Sequence, residues 1–221
     1  MFRIALTTAV IWLTCAGSAG AAGLPPPEAP RAPFPPIFGA PEAPGANLAA
    51  FKRWTGALER ALHEGPAYDA PCGLRFAGRC TIGEWRDLIR RLAGKPRREQ
   101  IDAVNAFFNR FPYIVDPANW NVADYWESPL QFLARSGDCE DYAIAKFVTL
   151  RQLGFANAEL RLVVLDDLNL RTAHAVLVVA DGARLLVLDN QIPQVVEAGR
   201  ILHYKPIYSI NEERWWLHRQ K

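Results

Sequence analysis

The stretch Ser136-Gly137-Asp138-Cys139-Glu140-Asp141-Tyr142-Ala143-Ile144-Ala145-Lys146 decides how this chain is read. Ser136-Gly137-Asp138 interrupts the preceding apolar pattern. Cys139 to Leu153 then carries Ala143, Phe147 and Leu150 on one face and stops at Gly154, as a helix does. Cys139 is therefore expected in the first turn of a central helix. There the unpaired backbone N–H groups and the positive end of the dipole favour a thiolate. The plainer reading of such a cysteine is a small apolar residue at a helix start.

Toward the N-terminus the pattern is helical: Phe51, Trp54, Leu58 and Leu62, then Trp85, Leu88, Ile89 and Leu92, then Ile101, Val104, Phe107 and Phe108. A loop rich in Pro, Asn and aromatics follows over Phe111 to Asn121, and a shorter apolar stretch over Tyr125 to Leu133. Beyond the central helix the pattern predicts strands at Glu159 to Leu165, His174 to Ala180, Ala183 to Asp189 and Ile207 to Ile210. Helices first and an antiparallel sheet after them give an α+β fold.

Asp181-Gly182 between two β-rich runs is a two-residue hairpin signal. It places Ala180 opposite Ala183 and, counting back, His174 directly opposite Asp189. Opposed side chains on one face are close enough for a carboxylate to hold an imidazole N–H. A surface ion pair is the plainer reading. Taken together, a thiol, a base and a group that orients the base are what nucleophilic catalysis needs, and Cys139, His174 and Asp189 supply one of each. The order, cysteine on a helix then His and Asp on adjacent strands, is that of papain-like and transglutaminase-like cysteine enzymes. Acyl transfer from an amide is the chemistry it points to. His63, His203 and His218 have no comparable partner, and Trp215-Trp216 reads as packing as readily as binding surface.

Asp138, Glu140 and Asp141 flank the cysteine and oppose its ionisation. Acids in a first helical turn also complement the dipole and cap it. Three together beside a thiolate suggest a hard cation that cancels their charge, for which oxygen ligands suit calcium. The local sequence does not match the twelve-residue loop of an EF-hand.

The remaining sequence sets the context. The chain has 221 residues, 25 basic and 23 acidic, for a formal net charge of +2, which gives no reason to expect nucleic acid. Half of it is apolar and 11% aromatic, enough for one packed domain. Met1-Phe2-Arg3, the apolar run Ile4 to Ala16 and the small residues from Gly17 to Gly23 read as a signal peptide over residues 1–22. Cys15 raises a lipoprotein site, which Leu13-Thr14 fits poorly. No later run is long enough to span a bilayer, so an exported, periplasmic protein that is not integral to the membrane is expected. Nine prolines between Pro25 and Pro44 predict an extended tether over 23–50, a spacer or a ligand for an aromatic groove, with folding from near Asn47 and the domain over 51–221. Of the three cysteines left, Cys72 and Cys80 are spaced for a mutual disulfide, while no ligand pattern supports zinc. Cys139 is then the odd thiol.

The motif Ser136 to Lys146, with Leu150-Arg151-Gln152-Leu153-Gly154 after it, resembles the bacterial transglutaminase-like cysteine proteinases, the periplasmic LapG-type proteases. His174-Ala175-Val176-Leu177 and Val187-Leu188-Asp189-Asn190 resemble that family's histidine and aspartate motifs, and Tyr125-Trp126-Glu127-Ser128-Pro129 its approach to the cysteine. The resemblance implies a calcium-dependent endopeptidase. Such an enzyme clips the N-terminal region of a large surface adhesin after an Ala-Ala type site, releases cells from a biofilm, and is held inactive by an inner-membrane cyclic di-GMP receptor. By position it implies Cys139 as nucleophile, His174 as base and acid, Asp189 as orienter, and Asp138, Glu140 and Asp141 as calcium ligands. The Cys72 and Cys80 pair and the proline segment are not part of the family pattern. The oxyanion hole is expected to use the Cys139 N–H and a second donor from Trp120 to Trp126. The same three residues also suit a peptidoglycan amidase or endopeptidase or a protein transglutaminase, and a non-catalytic periplasmic binding module is the alternative outside enzymes.

Overall fold

A computed structural model describes residues 34–69, 76 and 78–219. The signal-peptide reading of 1–22 and the first part of the proline segment lie outside the described residues. Three helices come first, α1 (Lys52–Glu64), α2 (Thr81–Leu92) and α3 (Arg97–Phe108), as their apolar spacing predicts. Two short ones follow, α4 (Asp116–Asn119) and α5 (Pro129–Arg135), and then α6 (Cys139–Gln152). Ser128 caps α5, accepting the Gln131 N–H while Gln131 accepts that of Ser128. Helix α6 is buried on nearly every side, from Asp141 to Phe147 and again at Thr149 and Leu150. It is packed between α3, α5 and the sheet rather than laid on the sheet by one stripe.

Seven antiparallel strands make one sheet in the order β1-β7-β6-β2-β3-β4-β5: β1 (Glu42–Gly45), β2 (Leu160–Asp167), β3 (Thr172–Asp181), β4 (Arg184–Leu188), β5 (Val196–Glu197), β6 (Tyr204–Ile210) and β7 (Trp215–His218). Both faces are covered, which is why β2 and β3 read as continuous apolar runs. Leu162, Leu177, Val179, Leu186 and Leu188 join the helical core. Val163, Leu165, Val176, Val178 and Val187 form a second core with Ile37, Ala198, Ile201 and Tyr204.

Ile37 in that second core corrects the expectation of a tether over 23–50. Ile37 is fully buried, and β1 pairs Glu42 to Gly45 with His218 to Trp215 of β7 at the sheet edge. Pro44 is accommodated because an edge strand can spare one N–H. Arg161 clamps the segment: its guanidinium stacks over Phe34 at 4.1 Å and Trp216 at 3.5 Å and pairs with Glu42 at 2.7 Å. The ordered fold thus begins before Asn47, the boundary the proline content suggested.

The β3–β4 hairpin also differs from expectation. Its ladder pairs Asp181 with Arg184 and Leu177 with Leu188, so Gly182 and Ala183 make the turn, with Gly182 at φ 64° in the position that type II′ turns reserve for glycine. His174 is not directly opposite Asp189. The register is displaced by two residues, which preserves the alternation of faces and leaves the pair diagonal on one face. Cys80 is disulfide-bonded and Cys139 is a free thiol; Cys72, the expected partner, lies outside the described residues. Among the described residues, no helix is long and apolar enough to cross a membrane.

Candidate active site

Cys139 is the first residue of α6 and is partly exposed. The chain reaches it through Ser136, which holds φ 66° and ψ 178°, a region that costs a non-glycine residue roughly 1–3 kcal/mol. Three contacts hold Ser136 there: its hydroxyl donates to Pro112 O, its N–H to Phe132 O at 2.7 Å, and its carbonyl accepts Asn119 Nδ2 at 2.8 Å. Gly137 follows because a Cβ at that position would collide with the Asp141 carboxylate. Asp141, wholly buried, accepts the Asp138 N–H on Oδ2 at 3.0 Å and the Glu127 N–H on Oδ1 at 2.7 Å.

On the sheet side, the backbone N–H of Ala175, the residue after His174 on β3, is turned toward the Cys139 thiol and favours its ionised form. His174 is buried, with Nε2 3.0 Å from Asp189 Oδ1 and Nδ1 3.4 Å from Gln191 Nε2. Asp189 also accepts the Gln191 N–H at 2.8 Å and the Tyr204 hydroxyl at 2.6 Å. Burial alone would raise the Asp189 carboxyl, but His174, Tyr204 and Gln191 outweigh it and hold the group below its usual range. A carboxylate facing Nε2 assigns the imidazole proton to that nitrogen and makes Nδ1 the acceptor, which the Gln191 amide faces at 3.4 Å. The structure therefore pairs His174 on β3 with Asp189 just after β4, and sets Cys139 at the head of α6, the helix that packs on β3.

The acids gather on the other side of the thiol. Oxygens of Asp116, Asp138 and Asp141 lie within 4.8 Å of one another, as do those of Asp116, Asp124 and Glu140. Burial, then Glu140 and Asp116, push the Asp138 carboxyl up to about 8; burial likewise raises Asp116, Asp141 and, to about 8, Glu127. The Cys139 thiol, donating to Glu140 Oε2 at 3.1 Å, is raised well above its ordinary value by burial and then by that carboxylate. Asp116 Oδ1 and Asp138 Oδ1 are buried with no protein partner. A hard cation suits such a set, since it would occupy the orphaned oxygens and remove the repulsion that keeps the acids protonated. Asp141 has a protein donor on each oxygen, whereas Asp116 and Asp138 each keep a free one.

Sequence reasoning missed Asp116, Asp124 and Glu127 as members of this cluster, and Tyr113, whose phenol is placed near Cys139 by the strand-like contact of Tyr113 with Gly137. The one available signal was the density of acids and aromatics from Tyr113 to Glu127. In the region expected to supply a second oxyanion donor, the Trp120 indole donates to Glu127 and the Tyr125 N–H to Asp116 Oδ2 at 2.6 Å, so both are engaged. His218 is a packing residue, buried with Nε2 3.0 Å from Ser209 Oγ, and Trp215 and Trp216 are half-buried in β7.

The model of the family described as bacterial transglutaminase-like cysteine proteinase BTLCP matches residues 72–218. Among solved structures, LapG of Legionella pneumophila is similar at 34% identity and a TM-score of 0.60, over 73% of this chain and 87% of that one. Its EGTA-treated form, also at 34% identity, gives 0.61 over 74% and 87%. Its calcium-bound form, again at 34% identity, gives 0.59 over 75% and 91%. No curated protein matches the chain significantly. The cysteine at the head of a buried helix, the His and Asp from neighbouring strands, and the match over most of the described domain have one common source: the chain belongs to the bacterial transglutaminase-like cysteine proteinases and is a cysteine protease.

Proposed function

We propose that Cys139, His174 and Asp189 form the catalytic triad of a calcium-dependent endopeptidase. In this reading it is exported to the periplasm by residues 1–22, where it cleaves the N-terminal region of a large surface adhesin and releases cells from a biofilm. The observation that carries the reading is the imidazole of His174, held by Asp189 at Nε2 and beside the thiol-bearing end of α6 through Ala175. Nδ1 of His174 takes the thiol proton, and the sulfur attacks the scissile carbonyl. Asp189 stabilises the resulting imidazolium without taking its proton. The imidazolium then gives that proton to the leaving amine, and water resolves the acyl-enzyme. The Cys139 N–H, free at the helix start, is placed to stabilise the oxyanion.

Asp116, Asp138 and Glu140 would hold calcium, with Asp141 shaping the site from beneath. Bound there, the ion supplies positive charge that offsets the carboxylates opposing a thiolate. The similarity to LapG structures described as calcium-bound and EGTA-treated supports this choice of ion. An inner-membrane cyclic di-GMP receptor is the expected inhibitor.

The test incubates the mature protein with the N-terminal region of a large adhesin from the same cell, in calcium or chelator, beside Cys139→Ala. One discrete cut that needs both calcium and Cys139 is expected. An intact adhesin together with Cys139-dependent amine incorporation or cell-wall cleavage would move the reading to transfer or to peptidoglycan.

A further inference from the structure

Lys146, two turns after Cys139 on α6, is fully buried. Its neighbours along the helix are Ala143, Ile144, Ala145 and Phe147, all in the apolar core, where a methionine would pack as well and an ammonium must lose its water. Nζ donates to Asn109 Oδ1 at 2.7 Å and lies over the Tyr142 ring at 5.6 Å. Because the lysine can only donate, the Asn109 oxygen must face it and the amide N–H groups must face away. Those groups reach the carbonyls of Asp189 at 2.7 Å and Ile192 at 3.4 Å.

Asn109 caps the C-terminus of α3, and the same helix continues the attachment. Asn105, one turn earlier, donates to Pro193 O at 3.1 Å, and Arg98, two turns before that, to Val195 O at 3.2 Å. Spacings of four and seven put the three side chains on one face. They hold successive carbonyls of the segment that leaves β4 through Asp189. The ionisable groups of this region are Asp189 after β4, His174 on β3, Tyr204 on β6 behind Asp189, and Tyr142 on the lysine's own helix. Lys146 is the cation at the Asp189 end of that row, and burial lowers its ammonium to about 7 against the attraction of Asp189.

We propose that Lys146 and Asn109 are a positioning pair for the reaction: the buried ammonium fixes the Asn109 amide, and the amide fixes Asp189, and through it His174, against α3. The proposal rests on the triad reading and adds residues that touch neither substrate nor thiol.

The experiment measures kcat, KM and melting temperature in calcium for the mature protein and the Lys146→Met, Asn109→Ala and Asp189→Asn variants. Lys146→Met should melt no lower than the parent, keep KM and lose about tenfold in kcat. Asn109→Ala should lose kcat without KM, and it decides the matter if Lys146→Met does not fold. A kcat equal to the parent's in a folded Lys146→Met, or in Asn109→Ala, overturns the proposal. Asp189→Asn separates the two levels: if it leaves kcat unchanged, the triad reading itself falls and the positioning role with it.

Discussion

The carboxylate of Asp141 accepts the backbone N–H of Glu127 at 2.7 Å, so one buried side chain joins the helix that bears the cysteine to the loop ahead of α5. Its second oxygen holds the Asp138 N–H at 3.0 Å. Asp141→Ala leaves both donors buried and unpaired, a loss of about 2–4 kcal/mol. The variant should melt several degrees lower in calcium and in chelator alike. Asp116→Asn and Asp138→Asn should melt no lower than the parent in chelator but lose the stabilisation that calcium gives. Thermal melts of the three variants with and without calcium separate the structural acid from the ion-binding ones.

Without calcium, stability should fall as pH rises. Asp138 and Glu127 titrate at about 8 when folded, raised first by burial, with Glu140 and Asp116 adding repulsion at Asp138 and Asp116 at Glu127. Unfolded, they titrate near 4, so between the two values the folded protein holds protons that the unfolded chain has released. The melting temperature in chelator should therefore decline from pH 5 to 8.5, and saturating calcium should remove the decline. Calcium binding at pH 7 should release protons, measurable as buffer-dependent heat in calorimetry. A melting temperature that rises with pH in chelator would contradict the protonated cluster.

Asp189→Asn tests the orienting group. Its single oxygen stays toward His174 Nε2 and the Gln191 N–H, and the amide N–H faces the Tyr204 hydroxyl, which can accept it, so the hydrogen bonds survive but the negative charge that stabilises the imidazolium is lost. The expected loss is about 10³–10⁴ in kcat with little change in KM. Steady-state kinetics on a peptide substrate reads it directly.

Residues 34–45 should behave as part of the domain. A chain beginning at Phe34 keeps the Ile37 contact and the pairing of β1 with β7. One beginning at Asn47 loses the Ile37 contact, worth about 1.5–3 kcal/mol, and bares the β7 edge. Lower melting and a tendency to self-associate are expected, read by calorimetry and light scattering.

The cysteine was legible because a chain break, an acidic first turn and a terminal glycine are local signals, and α6 begins at the residue they mark. His174 and Asp189 were legible for a weaker reason. The turn is Gly182-Ala183 rather than Asp181-Gly182, yet a shift of two residues keeps both side chains on one face. Asp116, Asp124 and Tyr113 were not legible, since their closeness to Cys139 arises from tertiary packing rather than from spacing along one element. β1 was hidden by composition: proline content argues against strand, and only its place at an edge permits it. Lys146 sits in the quoted motif, but nothing in the sequence shows that this lysine points inward.

The pairing of Glu42 with His218 brings the two ends of the domain side by side. The sheet edge can be finished only after the last strand has been made, so β1 must wait, unpaired and with Ile37 uncovered, through the synthesis of everything between. That makes the terminal strands the closing step of folding rather than its nucleus. It also means that a short linker could join the described ends near Phe34 and Arg219, with new termini opened at the Gly182-Ala183 turn, and leave Cys139, His174 and Asp189 in place.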